Sequence, residues 1–217
     1  MDHKPYLQVA LDNLSLDDAL HSLSGGLAEE VDIIECGTVL ILHEGLRAVT
    51  TLRSAYPNKL MVADFKCMYI KFAQMVLDRG AEFATVLSAC SAGEKAKILK
   101  DVNGRNSGQK AQIECYGAGK VTDEEIASWK EMGYDHVIFA RPHDRRNEPW
   151  GKADYDDIKK LCDMGWNVTV TGGMTYDDLD AIAGLPIFAI ICGRSVRNAP
   201  NPAAEARRIK EKINRLW

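Results

Sequence analysis

Eight short apolar runs rich in β-branched residues recur along this 217-residue chain: Tyr6 to Asp12, Val31 to Gly37, Lys59 to Lys66, Phe83 to Ala89, Lys110 to Tyr116, His136 to Pro142, Trp166 to Gly173 and Ile187 to Arg194. Their starts lie 21 to 30 residues apart, and each gap holds one amphipathic segment long enough for a crossover helix. LHEGLRAVTTLRSAY, DEEIASWKEMG, DYDDIKKLCDMG and PAAEARRIKEKINRLW are four of them. A strand that must reach a parallel neighbour needs such a crossover, so the alternation predicts βαβ units and an α/β fold. Eight units in a chain this short fit a (β/α)8 TIM barrel, with a doubly wound open sheet as the alternative.

Local signals agree with the helix assignments. Ser15 and Thr122 stand where N-caps belong, ahead of acidic first turns, and Gly133, Gly165 and Gly184 stand where helices end. Ser24-Gly25-Gly26 interrupts the first helical pattern as an early end or a kink. The chain is 46% hydrophobic and 27% charged, which excludes disorder, collagen and coiled coil. Its Gly and Pro are scattered, with no linker between two bodies, so residues 1–217 read as one domain.

The formal net charge of -4 offers no general attraction to nucleic acid or anionic membrane, so a small anionic ligand needs a local basic pocket. No apolar run reaches signal-peptide or membrane-span length, and a cytoplasmic location is expected. Six cysteines without a C-x-x-C pair and five dispersed histidines give no pattern for zinc or a disulfide framework.

Chemistry in a TIM barrel sits at the C-terminal ends of the strands, so the polar residues that close each run are the candidates. These are Asp12, Glu35, Asp64 with Lys66, Glu114, Arg141 with His143, Thr171-Gly172-Gly173, and Gly193-Arg194. Asp64 and Lys66 are two apart, so strand alternation points both into the barrel mouth and Phe65 toward the helices. Several acids around one lysine call for a cation to offset their repulsion. Hard carboxylate oxygens suit Mg²⁺, with Glu35 and Asp64 as ligands. The glycine turns after the seventh and eighth runs, with Arg194 beside them, suit a phosphate.

V-A-L-D at 9–12, V-D-I-I-E-C-G-T at 31–38, V-A-D-F-K at 62–66, W-G-K-A-D at 150–154, V-T-V-T-G-G at 168–173 and C-G-R-S-V at 192–196 carry a resemblance. The chain resembles the orotidine 5′-monophosphate decarboxylase suprafamily along nearly its whole length, most of all its 3-keto-L-gulonate 6-phosphate decarboxylase branch. The resemblance implies a homodimer with composite active sites that uses Mg²⁺ to decarboxylate a β-keto sugar-acid phosphate. The implied reaction converts 3-keto-L-gulonate 6-phosphate to L-xylulose 5-phosphate and CO₂ through a cis-enediolate. It implies metal ligands at Glu35 and Asp64, an enediolate-stabilising Lys66, a substrate-hydroxyl contact at Asp12, and phosphate contacts at Gly173, Gly193 and Arg194.

Three positions depart from that pattern. The last Asp of the family's D-x-K-x-x-D motif is Tyr69, which on the resemblance would lie near the partner's site. In the sixth run the family's His and Arg, which govern protonation, align with Ala140 and His143, while Arg141 and Asp144 are retained. His143, directly or through one water, is then the expected proton donor. The altered end keeps open an aldolase like hexulose-6-phosphate synthase and a catalytically weak phosphosugar-binding protein.

Overall fold

Each of the eight apolar runs forms one strand. The computed structural model describes residues 4–116, 121–142, 145 and 148–217. Strands β1 (Tyr6–Leu11), β2 (Ile33–Cys36), β3 (Leu60–Cys67), β4 (Phe83–Leu87), β5 (Lys110–Tyr116), β6 (His136–Ala140), β7 (Asn167–Thr171) and β8 (Ala189–Cys192) follow one another in spatial order. All pair in parallel, and β8 pairs back onto β1 to close a (β/α)8 barrel.

Helices α1 (Leu16–Ser24), α2 (Leu27–Glu30), α3 (Thr38–Glu44), α4 (Arg47–Ala55), α5 (Ile70–Leu77) and α6 (Ala92–Gly104) serve the first half. The second half has α7 (Asp123–Met132), α8 (Lys152–Asp163), α9 (Arg194–Arg197) and α10 (Pro202–Leu216). Ser15 caps α1 through Asp18 N, and Thr122 forms a reciprocal box with Glu125. Gly133, Gly165 and Gly184 take positive φ at the ends of their segments.

The expectation of one crossover helix per gap needs correction at three places. Between β7 and β8 the connection is a six-residue 3₁₀ helix, Asp177–Ile182, because turns at Gly172-Gly173 and Gly184 consume most of that short gap. The run at 42–56 is two helices, since Gly45 (φ +67°) ends α3 before α4 begins. Ser24-Gly25-Gly26 is a helix end, with Gly26 at φ +92° leading into α2.

Most of the core lies between strands and helices. Inside the barrel, Ile33, Val62, Phe83 and Ala189 pack with Leu60 and Phe188 as an apolar plug toward the N-terminal ends of the strands. The His136 ring packs edge-on against Phe83 and Phe188 there. Above the plug the buried interior turns polar, with Gln8, Glu35, Thr85, Gln112, Glu114 and Thr169. The barrel therefore has a dry floor and a polar mouth.

Strand β3 is irregular where the chemistry is expected. Ala63 pairs with Ala84 and Cys67 with Val86, so Asp64, Phe65 and Lys66 together stand opposite Thr85. Lys66 takes φ +48°, a left-handed conformation that costs a non-glycine residue roughly 1–2 kcal/mol. Simple alternation thus mis-states the local path: the bulge, not a regular pleat, sets Lys66. Phe65 does turn to the helix layer, with its ring 5.2 Å from Phe72 of α5.

Candidate active site

A cavity of about 1130 Å³ opens at the C-terminal ends of the strands. Asp12, Glu35, Asp64, Lys66 and Glu114 line one side, from β1, β2, β3 and β5 or the residue that follows them. Lys66 Nζ lies 2.7 Å from Glu114 Oε2 and 3.2 Å from Asp64 Oδ1. Two carboxylates from different strands thus fix a single ammonium at the barrel mouth. Asp12 accepts a long 3.4 Å hydrogen bond from Val39 N, and its carboxylate fills the space where a side chain at Gly37 would begin.

Glu35 is the most deeply buried of these acids. It accepts a 2.6 Å hydrogen bond from Gln8 Nε2. Burial first, then the neighbouring charges of Asp64 and Asp12, hold its carboxyl well above the usual carboxylate range, against the opposing pull of Gln8 and Lys66. The same desolvation, joined by Glu35, pushes the adjacent Cys36 thiol up to about 12, which makes it a core residue and not a nucleophile.

This donor set fits a hard divalent cation. Ionised Glu35 is electrostatically penalised by Asp64 and Asp12, and a cation would reverse that penalty. Asp64 accepts from Thr38 Oγ1 at 2.7 Å, Thr85 Oγ1 at 2.8 Å and Lys66 Nζ at 3.2 Å, using three of its roughly four lone-pair positions. One position stays open for a metal. Among the described residues no three His, Cys, Asp or Glu side chains group to cage a metal by themselves. Waters and substrate oxygens would have to complete the shell, which is the habit of Mg²⁺.

Across the cavity lie Thr171, Gly172, Gly173, Gly193 and Arg194. Gly172 (φ +125°) and Gly173 (φ +82°) take conformations that side chains resist. At Gly172 a Cβ would also overlap the Arg141 side chain and stand 2.9 Å from Arg141 N. Arg194 is exposed on this rim, and Arg197 reaches the same wall with a 3.4 Å contact to Ala10 O. Neither has a carboxylate partner among the described ion pairs, so two guanidinium groups stand ready for an anion.

Arg141 lines the cavity and is also tied to the segment that leads into α8. Its side chain is 1% exposed, donates to Glu148 O at 2.6 Å and Pro149 O at 2.9 Å, and pairs with buried Asp154 at 3.3 Å. The guanidinium also packs over the Trp150 ring. These partners belong to the segment leading into α8 and to its first turn, so Arg141 holds that loop at the cavity wall. Ala140 presents only a methyl group to the cavity. His143 and Asp144 lie outside the described residues.

Sequence reasoning passed over Gln8, Thr38, Thr85 and Arg197. Gln8 and Thr85 carried one usable signal, a lone polar residue inside an otherwise apolar run. Leu14, Val39, Leu42, Met68 and Tyr69 are exposed large apolar side chains in the segments that follow β1, β2 and β3, and Val39 also lines the cavity. The Tyr69 ring stacks on Phe72 with centroids 4.2 Å apart.

Comparison with known proteins agrees with this architecture. The family model described as Orotidine 5′-phosphate decarboxylase / HUMPS family matches residues 5–209. The 3-keto-L-gulonate-6-phosphate decarboxylase UlaD of Escherichia coli O17:K52:H18 is 41% identical over 217 residues, covering 98% of both chains. Among solved structures, KGPDC from Streptococcus mutans in complex with D-R5P superposes with a TM-score of 0.92 at 35% identity, covering 98% of this chain and 99% of that one. The 3-hexulose-6-phosphate synthase of Salmonella typhimurium follows with a TM-score of 0.86 at 26% identity, covering 98% of this chain and all of its own.

Proposed function

The chain belongs to the orotidine 5′-phosphate decarboxylase / HUMPS family and is a carboxy-lyase, and on that premise we propose that it decarboxylates 3-keto-L-gulonate 6-phosphate to L-xylulose 5-phosphate and CO₂. The observation that carries this reading is the Lys66 ammonium held between Asp64 and Glu114 at the barrel mouth. A fixed positive charge that needs no reorganisation is what a developing oxyanion requires.

In this reading Gly173, Gly193 and Arg194 bind the phosphate and Asp12 accepts from a substrate hydroxyl. Breaking the bond to the carboxylate sends its electron pair toward the adjacent carbonyl oxygen, giving a cis-enediolate, and Lys66 donates a hydrogen bond to that oxygen. Glu35 and Asp64 would hold Mg²⁺, which supplies Lewis-acid stabilisation of the same negative charge. His143 is proposed to return a proton to carbon, directly or through one water. It should then matter for rate and for the stereochemistry of deuterium uptake from solvent, and a His143→Ala protein unchanged in both would leave delivery to water.

We further propose a homodimer whose exposed apolar segment, Met68 and Tyr69 included, packs against a second copy and brings Tyr69 near the partner's site. A monomeric mass at micromolar concentration, with activity unchanged on dilution, would remove that part. The reaction itself is tested by CO₂ release from a panel of keto-sugar phosphates with added Mg²⁺. Formaldehyde-dependent condensation with ribulose 5-phosphate in place of CO₂ release would assign the aldolase chemistry instead. Binding of phosphosugars without turnover would leave a binding protein.

A further inference from the structure

We infer that Thr85 is a positioning residue: its hydroxyl pins the β3 bulge and thereby sets Lys66 against Asp64. The inference rests on the proposed decarboxylase reading for its kinetic consequence, but its geometry stands by itself. Where a regular parallel ladder would pair residue with residue, three residues of β3 face Thr85 of β4. The ladder is broken there, and Lys66 N–H is instead taken up by a side chain, donating to Thr85 Oγ1 at 2.9 Å. The hydroxyl's own proton goes on to Asp64 Oδ1 at 2.8 Å. One buried hydroxyl therefore accepts from the backbone of the lysine and donates to the carboxylate that the same lysine's ammonium contacts at 3.2 Å.

Each half of that bridge constrains one partner. The accepted bond stabilises Lys66 in its left-handed conformation, which no glycine is present to ease. The donated bond fixes which Asp64 oxygen faces Lys66, while Thr38 contacts the other oxygen at 2.7 Å. A hydroxyl is needed for both jobs at once, since a methyl neither accepts nor donates and a buried N–H left unpaired is strongly disfavoured. Without it, a regular strand path becomes the better-satisfied alternative, and Lys66 would swing away from Asp64.

Thr85→Val keeps the branched shape and removes only the hydroxyl, while Thr85→Ser keeps the hydroxyl. The expected result is a kcat lowered about tenfold or more in Thr85→Val with KM within about threefold, and a kcat within about threefold of the parent in Thr85→Ser. A crystal structure of Thr85→Val should show Lys66 out of its positive-φ conformation. A lowered melting temperature with kcat unchanged below it would overturn the inference, as would equal kcat losses in both variants. If the parent protein releases no CO₂, the functional reading fails separately. The crystal structure of Thr85→Val then decides alone, and Lys66 still near φ +48° would overturn the positioning role.

Discussion

Acid should weaken this protein through His136, at the opposite end of the barrel from the candidate site. The ring is buried, packs edge-on to Phe188 at 4.7 Å and Phe83 at 5.2 Å, and leaves Nδ1 without a hydrogen-bond partner. Burial above all pushes its pKa down to about 4, helped by Lys110 and Lys130 and opposed by Asp135. An unfolded histidine titrates near 6.5, so between these values the unfolded chain binds the extra proton and the folded chain refuses it. Stability from this group is therefore complete above about pH 6.5, declines as pH falls toward 4, and is lost below that. Integrated from pH 7 to pH 5, the difference is about 2 kcal/mol. For a urea m-value of about 2 kcal/mol/M, the unfolding midpoint would fall by about 1 M. Replacing the ring by phenylalanine keeps an aromatic in the plug and removes the titration. Urea unfolding of the parent and of His136→Phe at both pH values isolates the effect from every other titrating group. A stability difference between the two proteins that does not change from pH 7 to pH 5 would refute the reasoning.

Three further outcomes follow from the site. Glu35→Gln and Asp64→Asn should each abolish Mg²⁺-dependent turnover and any rise in melting temperature with MgCl₂, and full activity of either in chelator-treated protein would remove the ligand assignment. Lys66→Ala should act mainly on kcat, because its charge matters most in the transition state, and Arg194→Ala mainly on KM, with equal small effects from both refuting the division. Arg141→Met should destabilise by about 3 kcal/mol in denaturant unfolding, because buried Asp154 loses its principal partner, while kcat of the folded protein stays within about threefold. A hundredfold loss of kcat with stability intact would instead assign Arg141 to the chemistry.

The fold was legible because each strand is buried on both faces, so β1 through β8 announce themselves as continuous apolar runs whose polar ends are few. Asp12, Glu35, Asp64, Lys66 and Glu114 could be read from those ends because the barrel brings strand termini to one mouth whatever their separation in sequence. What was hidden depends on contacts that no local period encodes. The bulge at Asp64–Lys66 needs a hydroxyl on the neighbouring strand, and although Thr85 stands out as a lone polar residue in an apolar run, nothing local in sequence pairs it with Lys66. Arg141 follows β6 at the cavity wall, where a strand-end residue is expected, but the two loop carbonyls and Asp154 that also hold its guanidinium become neighbours only after the chain folds back into α8. The 3₁₀ crossover before β8 has the composition of a helix start and too little chain to continue as one.

The cavity is polar in a directional sense, and that polarity would restrict how the phosphorylated keto-acid of the proposed reaction enters. Four carboxylates and one ammonium gather at the ends of β1, β2, β3 and β5, while two guanidinium groups and the glycine turns stand after β7 and β8. A phosphate dianion is repelled by the first end and attracted by the second, so the two ends of the substrate are sorted before any close contact forms. The keto end then meets the acidic side, where an isolated anion would be unwelcome unless a cation joins Lys66. On the proposed reading, the same excess of acid that strains Glu35 would favour a cation at this end. A metal bound there would relieve Glu35 and give the keto end a positive target, so metal and substrate binding should be mutually reinforcing.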